Sequence, residues 1–252
     1  MKSIMKIGIT GQNGFLGVNL RNRLLLSNKK YEIIDFENAI FLNPDLLDDW
    51  VSKCDTIVHF AALSRHQDPT VVYINNIGLI DRLIESIERT NSKPNLIFSS
   101  SKQEDLDTGY GKSKREGRDK LNNFSIKNGL NFAGLIIPNV FGPKAKPKYA
   151  SVVATFCYQL INDESPIILN DVELKLIYIE DLVKEIEEVI INKINNSEYI
   201  INYRSSIKVS EILNLLNYFK LVFIIKGGKP IFRNAFEENL FVTFQSYINY
   251  KI

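Results

Sequence analysis

A tyrosine and a lysine four positions apart are the residues of this sequence best suited to acid–base chemistry. Tyr110 and Lys114 lie in the stretch YGKSK, so on a helix their side chains share one face, a turn from each other. A nearby ammonium favours the tyrosinate and lowers the pKa of the phenol towards neutrality. Such a phenol can pass a proton to a carbonyl oxygen, which a hydroxyl from the serines at 99–101 can hold in place. Alone this spacing is common and usually marks two surface residues. It indicates a catalytic pair only when it follows a serine-ended strand in a chain that also carries a nucleotide-binding motif.

A glycine-rich stretch near the start of the sequence is typical of a phosphate-binding turn. Residues 10–17, TGQNGFLG, have the spacing GxxGxxG between an apolar run and a segment of helical periodicity. The glycines permit a tight turn and close approach to a pyrophosphate, and the following helix N-terminus supplies N–H groups. We therefore predict a dinucleotide site. Asp35 comes 24 residues after Gly11; it is either a partner for the ribose hydroxyls or an ordinary solvated strand end.

Alternating strands and helices must position these residues. Strands are predicted at 6–10, 31–35, 56–62, 95–99, 131–137, 174–179 and 198–203, and helices at 14–26, 45–53, 69–90, 110–128, 150–161, 181–191, 210–219 and 235–247. Strands that are apolar on both faces indicate a parallel sheet covered by helices, so the expected fold is α/β, a Rossmann-like doubly wound sheet. We expect residues 1–143 to form an NAD(P)-binding core. Residues 144–252 are expected to form a small substrate-binding lobe, from which the sheet can take one further strand.

The composition excludes several classes of protein. With 252 residues, 45% of them hydrophobic and 24% charged, the chain has the profile of a single folded domain, or of one domain with a small appendage. The net charge is +2 and no block of like charges occurs, which argues against nucleic acid or an anionic membrane as partner. Two cysteines and two histidines give no metal-binding pattern. We find no signal peptide or membrane-spanning run, and we expect a cytoplasmic protein without a metal.

An ordered series of motifs adds a family resemblance. TGQNGFLG, HFAAL, FSSS, YGKSK and PNVFGP, within residues 7–143, resemble the signature series of extended short-chain dehydrogenases/reductases that act on nucleotide sugars. The resemblance implies Ser101, Tyr110 and Lys114 as the catalytic set and NADH or NADPH as the cofactor. The cofactor-binding residues that we expect are Gly11, Asn13, Gly14, Phe15, Leu16, Gly17, Asp35, Phe60, Ala61, Ala62, Asn75, Tyr110, Lys114 and Pro138. Candidate contacts to the nucleotide sugar are Arg65, Ser101 and Asn139.

A narrower resemblance covers almost the whole sequence. LSRHQDP, SSKQEDLDTGYGKSK, ASVVATFCYQL, VELKLIYIEDLV and FEENLFVTFQSYI are similar to the reductase part of enzymes of capsular polysaccharide synthesis. This resemblance implies reduction of the C4 ketone of a UDP- or dTDP-linked 4-keto-6-deoxyhexose, as a step towards a surface polysaccharide precursor. It also implies a homo-oligomer, which we expect to be a dimer. Those enzymes continue into a cupin domain that epimerises the sugar, whereas this sequence ends where that domain would begin. We therefore expect reduction without epimerisation.

Two other functions are weighed against reduction. The first alternative is another enzyme of the same kind, a nucleotide-sugar 4-epimerase or dehydratase. Dehydratases of this superfamily usually carry Asp-Glu beside the catalytic serine or threonine, but here Lys and Gln follow Ser101, and an acidic pair stands displaced and reversed at 104–105. A non-catalytic NAD(P)-binding regulator is the third reading, and the intact set of Ser101, Tyr110 and Lys114 argues against it.

The residues after the second predicted strand bear on the choice of cofactor. The stretch at 35–38, DFEN, contains two acids and no cation. The 2′-phosphate of NADPH would meet like charge from Asp35 and Glu37 in a partly desolvated site. The related capsular enzymes use NADPH and carry a basic residue just after this strand. Because this sequence has acids in place of that basic residue, we predict use of NADH, or of both cofactors, in contrast to those enzymes. The ratio of kcat/KM for the two cofactors measures this, and a strong preference for NADPH would require a cation from elsewhere in the fold.

Overall fold

The computed structural model describes residues 4–27, 31–248 and 250. The strands, in chain order, are β1 (Met5–Thr10), β2 (Tyr31–Ile34), β3 (Thr56–His59), β4 (Asn95–Ser101), β5 (Phe132–Ile137), β6 (Asn139–Phe141), β7 (Glu173–Tyr178), β8 (Asn196–Ile200) and β9 (Ser205–Lys208). The α-helices are α1 (Phe15–Leu26), α2 (Pro44–Ser52), α3 (Pro69–Thr90), α4 (Gly109–Asn128), α5 (Val152–Ile161), α6 (Ile179–Ile191), α7 (Val209–Phe219) and α8 (Ala235–Gln245). Short 3₁₀ helices occupy Asn38–Leu42 and Lys102–Asp105, and a π-helix occupies Lys220–Ile225. Within the described residues, no helix is both long and apolar enough to span a bilayer.

Six strands form one parallel sheet in the order β2-β1-β3-β4-β5-β8. The chain moves from β1 to one side and then returns to place β3 on the other side, so the direction of winding reverses at β1. Right-handed crossovers then put α1 on one face and α2, α3 and α4 on the other. In such sheets a ligand binds outside the carboxyl ends of the strands that flank the reversal. The predicted doubly wound α/β fold is confirmed.

The main core lies between the sheet and helices α2, α3 and α4. Its apolar side chains come alternately from strands and helices and include Phe36, Trp50, Ile57, Leu83, Phe98, Leu121 and Phe132. Helical spacing explains the contribution of α3, whose positions 72, 80, 83 and 87 all face inwards. The core thus holds α3 and α4 firmly against β3 and β4.

The strand that we predicted at 56–62 is shorter in the structure. It ends at His59, because the N–H of Ala61 donates to the side chain of Thr10 rather than to a neighbouring strand. Three elements of the second half, β6, β9 and the π-helix, were not predicted. The helix predicted at 235–247 is present and ends at Gln245.

The chain divides into two compact units, and their boundary differs from the expected one at residue 143. The first unit runs to Ile137 and takes in Val183–Ile201; the second comprises Pro138–Leu182 and the chain from Asn202 onwards. The chain leaves the main sheet at Ile137 because β6 pairs with β7, in a separate sheet ordered β6-β7-β9. Residues 196–200 then return to the first unit as β8, the further strand of the main sheet.

A buried carboxylate joins three elements of the first unit. Glu187 on α6 accepts hydrogen bonds from Arg23 Nε at 2.7 Å, Ser27 Oγ at 2.8 Å and Tyr31 Oη at 3.2 Å. Burial raises the pKa of Glu187, but the hydrogen bonds from Ser27 and Arg23 outweigh that effect, so the pKa is lowered overall. The carboxylate therefore stabilises the fold above its unfolded pKa, and this contribution is lost as the pH falls through the folded pKa.

We predict that Glu187→Gln lowers the free energy of unfolding by about 1–3 kcal/mol at pH 7, because it removes the buried negative charge to which Arg23, Ser27 and Tyr31 donate. The difference between wild type and variant should shrink as the pH falls below the unfolded pKa of about 4 and through the lower folded pKa, because the native carboxylate then becomes protonated. Denaturant unfolding from pH 7 to pH 3 measures both effects. Glu188→Gln, at the exposed neighbouring position, is the control; an equal loss there would contradict the role of Glu187.

Candidate active site

Lys114 is buried on the second turn of α4, beside the carboxyl end of β4. Its side chain is 3% exposed, and Nζ donates to the carbonyl oxygen of Ser99 at 2.7 Å. Nζ also lies 4.8 Å from the ring centroid of Phe98 and 5.6 Å from that of Tyr110. Desolvation by burial lowers the pKa of Lys114 to about 7. The shared helix face predicted for Tyr110 and Lys114 is thus present, with the cation held close to the phenol ring.

Ser101 is the last residue of β4, two positions beyond Ser99. Side chains two apart on a strand point to the same face, and Ser99 Oγ lies 3.4 Å from Lys114 Nζ, so Ser101 lies on the face that carries Lys114. Its Oγ accepts a hydrogen bond from the N–H of Gln103 at 3.1 Å and so caps the 3₁₀ helix. A hydroxyl that accepts one hydrogen bond keeps its own hydrogen to donate. Ser101 can therefore donate a hydrogen bond to a substrate oxygen at the carboxyl end of β4.

The first turn of α4 rests directly on the segment that follows Ser101. A Cβ atom at Gly111 would lie 2.4 Å from the carbonyl oxygen of Gln103 and 2.5 Å from that of Leu106. Thr108 caps this turn, accepting from the N–H of Gly111 at 3.0 Å. The absence of a side chain at position 111 thus lets the helix that carries Tyr110 pack against the short connection from β4.

A buried ion pair holds the same connection from the other side. Arg118 on α4 donates to both oxygens of Glu104, from Nε and from Nη2, each at 3.2 Å. Ser100 Oγ also donates to Glu104, and Arg118 Nη1 reaches Glu198 Oε1 at 3.2 Å. Both side chains of the central pair are 8% exposed. Glu104 is one half of the displaced acidic pair at 104–105. Because its carboxylate is buried and bonded to Arg118 and Ser100, it is not available as the acid of a dehydratase.

Asn76 is a buried residue of the site that sequence reasoning missed. Its Oδ1 accepts from the N–H of Leu63 at 2.7 Å, and its Nδ2 donates to the Leu63 carbonyl oxygen and to Ser113 Oγ, both at 3.0 Å. Ser113 Oγ in turn donates to the carbonyl oxygen of Tyr110 at 2.8 Å. Asn76 thereby connects the loop after β3 to the turn that carries Tyr110. The predicted Asn75 is exposed, and its amide donates to Asn76 Oδ1 at 3.3 Å.

A signal for Asn76 was available in the sequence. The apolar positions of α3 recur at 72, 80, 83 and 87, and residue 76 falls on that face, four residues from both 72 and 80. Position 75 falls to the side of it. Helical periodicity therefore predicts burial for residue 76 and exposure for residue 75, as the structure has them.

The glycine-rich turn has the shape needed for a diphosphate. Gly11 has a φ of +69°, and a Cβ there would lie 2.9 Å from the backbone nitrogen of Ala61. A Cβ at Gly17 would lie 2.3 Å from the carbonyl oxygen of Gly11. Gly14 is the N-cap of α1, has no side chain to cap the first N–H groups, and is exposed. The turn is therefore a cradle that side chains would fill, at a helix N-terminus suited to an anion.

Thr10 fixes this cradle to the neighbouring strand. Its Oγ1 lies 2.9 Å from His59 Nδ1 and accepts from the N–H of Ala61 at 3.2 Å. His59 is buried and stacks on Phe98 at a centroid distance of 5.9 Å. Desolvation and the nearby Lys114 lower the pKa of His59 to about 3, so the imidazole is neutral at physiological pH. His59 is thus a structural residue between the cradle and the ring that packs on Lys114.

The remaining predicted residues have distinct positions. Asn13 is exposed, Phe15 and Leu16 are half-buried, Phe60 and Ala61 are half-buried directly after β3, and Ala62 and Arg65 are exposed on the loop that follows. Asp35 is exposed at the end of β2. Pro138 (buried) and Asn139 (exposed) belong to the second unit. In the described ranges no group of three His, Cys, Asp or Glu side chains could hold a metal ion.

Comparison with known proteins gives three findings. The sequence model described as "NAD dependent epimerase/dehydratase family" matches residues 7–202. The UDP-2-acetamido-2,6-beta-L-arabino-hexul-4-ose reductase of Pseudomonas aeruginosa is 32% identical over 221 residues, which cover 86% of this chain and 58% of that protein. The crystal structure of the capsular polysaccharide assembling protein CapF from Staphylococcus aureus matches with a TM-score of 0.81 and 31% identity, over 98% of this chain and 67% of that one.

A more distant structure shows the likeness of fold alone. RMD from Pseudomonas aeruginosa, solved in complex with NADPH, has a TM-score of 0.81 at 16% identity, with 97% of this chain and 99% of that one covered. The chain thus spans most of some relatives, but only 58% of the curated reductase it resembles.

We predict that Gly111→Ala lowers the free energy of unfolding by about 1–3 kcal/mol, because the added methyl group overlaps two backbone carbonyls. Gly78→Ala is the matched control: it is also a helical glycine, but a Cβ there meets nothing within 4 Å. That variant should be unchanged or stabilised by up to about 1 kcal/mol. Thermal and denaturant unfolding measure the difference, and equal behaviour of the two variants would contradict the close packing at position 111.

Proposed function

Because the chain belongs to the NAD dependent epimerase/dehydratase family, we propose that it is an NAD(P)H-dependent reductase of the C4 ketone of a nucleotide-linked 4-keto-6-deoxyhexose. The observation that carries the proposal is the placement of Tyr110 over a buried lysine at the carboxyl end of β4. The 32% identity to a reductase of a UDP-linked hexul-4-ose supports the same substrate class. The nucleotide is UDP or dTDP, and the product is a precursor of a surface polysaccharide.

The glycine cradle would hold the cofactor. Its diphosphate would lie against the N–H groups of Phe15 and Leu16, where the dipole of α1 favours negative charge. The reduced nicotinamide, when bound, supplies the hydride for C4 of the sugar. Residues 60–62 would line the groove beyond the cradle, since the N–H of Ala61 is bonded to Thr10 directly beside it.

Three side chains of the chain would handle the carbonyl oxygen and its proton. Ser101 donates a hydrogen bond to the oxygen and so orients it. Tyr110 gives its phenolic proton to the same oxygen as negative charge develops there. Lys114, held by the Ser99 carbonyl, stabilises the phenolate that Tyr110 becomes, since opposite charges at short range favour each other. Arg65 and Asn139 are proposed contacts to the nucleotide sugar.

We further propose that the protein works as a cytoplasmic homodimer, as expected from its resemblance to other nucleotide-sugar reductases. Sedimentation velocity would measure the subunit number directly, with a dimer as the expected species.

Tyr110→Phe tests the catalytic assignment. The variant keeps the ring that packs near Lys114 but lacks the proton, so reduction of a UDP- or dTDP-4-keto-6-deoxy sugar should fall by about 10²- to 10⁴-fold. Binding of NAD⁺, followed by calorimetry, should be retained. Tyr73→Phe is the control, because the Tyr73 hydroxyl bonds Glu116 on the surface of α3 and α4. Near-normal turnover by Tyr110→Phe would show that the tyrosine is not the proton donor.

Epimerisation at C4 is the second candidate, because the family that matches this chain includes epimerases by name. The two functions differ in their use of cofactor. A reductase consumes one NAD(P)H for each ketone, whereas an epimerase interconverts two UDP-sugars with no net oxidation or reduction. Incubation with UDP-sugars in the presence of NAD⁺ should give no C4 epimer if the chain is a reductase; appearance of the C4 epimer would favour the second candidate.

A further inference from the structure

An arginine on α1 lies beside the acidic residue that follows β2. Arg21 Nη2 lies 3.5 Å from Asp35 Oδ1. The side chain of Asp35 is 74% exposed and that of Arg21 39% exposed, so both groups are open to a ligand. The predicted disadvantage of NADPH rested on two acids with no nearby cation. The structure brings a guanidinium to one of those acids.

The geometry of α1 explains why Arg21 reaches this place. Side chains on a helix lean towards its N-terminus, and the N-terminus of α1 is the end that carries the glycine cradle. Arg21, six residues after Phe15, therefore extends back towards the carboxyl edge of the sheet and meets Asp35 just beyond β2. Arg23 is on the same helix but is committed to the buried Glu187. Of these two arginines, Arg21 has the exposed and exchangeable partner.

We propose that Arg21 and Asp35 form an exchangeable subsite at the adenosine ribose, which admits NADPH as well as NADH. The proposal rests on the proposed function. With NADH, Asp35 would accept a hydrogen bond from the ribose 2′-hydroxyl while Arg21 stays paired with it. With NADPH, the guanidinium would turn from Asp35 to the 2′-phosphate. An exposed ion pair contributes little stability and is readily broken, whereas a phosphate presents more charge and accepts two parallel N–H bonds from arginine.

The test compares affinities for NADP⁺ and NAD⁺, which differ only in the 2′-phosphate, by calorimetry. Arg21→Met should weaken NADP⁺ binding by about 10- to 100-fold, the range for a lost charge-assisted hydrogen bond, and leave NAD⁺ binding within about 2-fold. Asp35→Asn should strengthen NADP⁺ binding, because it removes like charge and frees the guanidinium. Arg21→Lys should restore part of the loss, since it keeps the charge without the planar donors. Arg82→Met, at an exposed position of α3, is the control.

The binding results distinguish a failure at Arg21 from a failure of dinucleotide binding as a whole. If wild type binds neither dinucleotide, the proposed function itself is overturned. If both bind and Arg21→Met changes neither affinity, or weakens both equally, Arg21 does not read the 2′-phosphate and the inference is overturned. Selective loss of NADP⁺ binding in Arg21→Met, with Arg82→Met unchanged, supports it.

Discussion

A buried ammonium sets the geometry of this site. Lys114 is almost wholly removed from water, and burial lowers its pKa to about 7. It is accommodated because the Ser99 carbonyl accepts its hydrogen bond and two aromatic rings lie within reach of its charge. When Lys114 is protonated, its buried charge favours negative charge on the group beside it. The neighbouring group is Tyr110, so the lysine stabilises the phenolate that forms when the phenol gives up its proton.

The rest of the first unit keeps that contact in place. Position 111 has no side chain, so the first turn of α4 packs on the connection from β4. The Glu104–Arg118 pair anchors the same connection to the middle of α4. Asn76 ties the opposite side of the turn to the loop after β3. Each contact uses a group that is satisfied inside the protein, so the position of Tyr110 is fixed before any ligand arrives, as catalysis by positioned groups requires.

Local patterns were sufficient for the fold and for the central pair. Alternation of apolar strands and helices predicted the parallel sheet, and the spacing of Tyr110 and Lys114 predicted their shared helix face. The sequence was insufficient where a contact depends on how one element packs on another. Which arginine of α1 meets Asp35 depends on the rotation of that helix over β2. The role of Glu104 depends on Arg118, which lies on the next helix. The end of β3 at His59 depends on a side chain of β1.

Transfer of isotope from the cofactor to C4 of the sugar is the decisive test of whether this chain reduces a 4-keto sugar. The enzyme is incubated with a UDP-linked 4-keto-6-deoxyhexose and NAD(P)H carrying deuterium on the transferable position of the nicotinamide, and the product is examined by NMR. The expected product is a 6-deoxyhexose with deuterium at C4, formed with one equivalent of oxidised cofactor for each sugar. A product without deuterium at C4, or an epimerised sugar formed with no cofactor oxidised, would contradict this expectation.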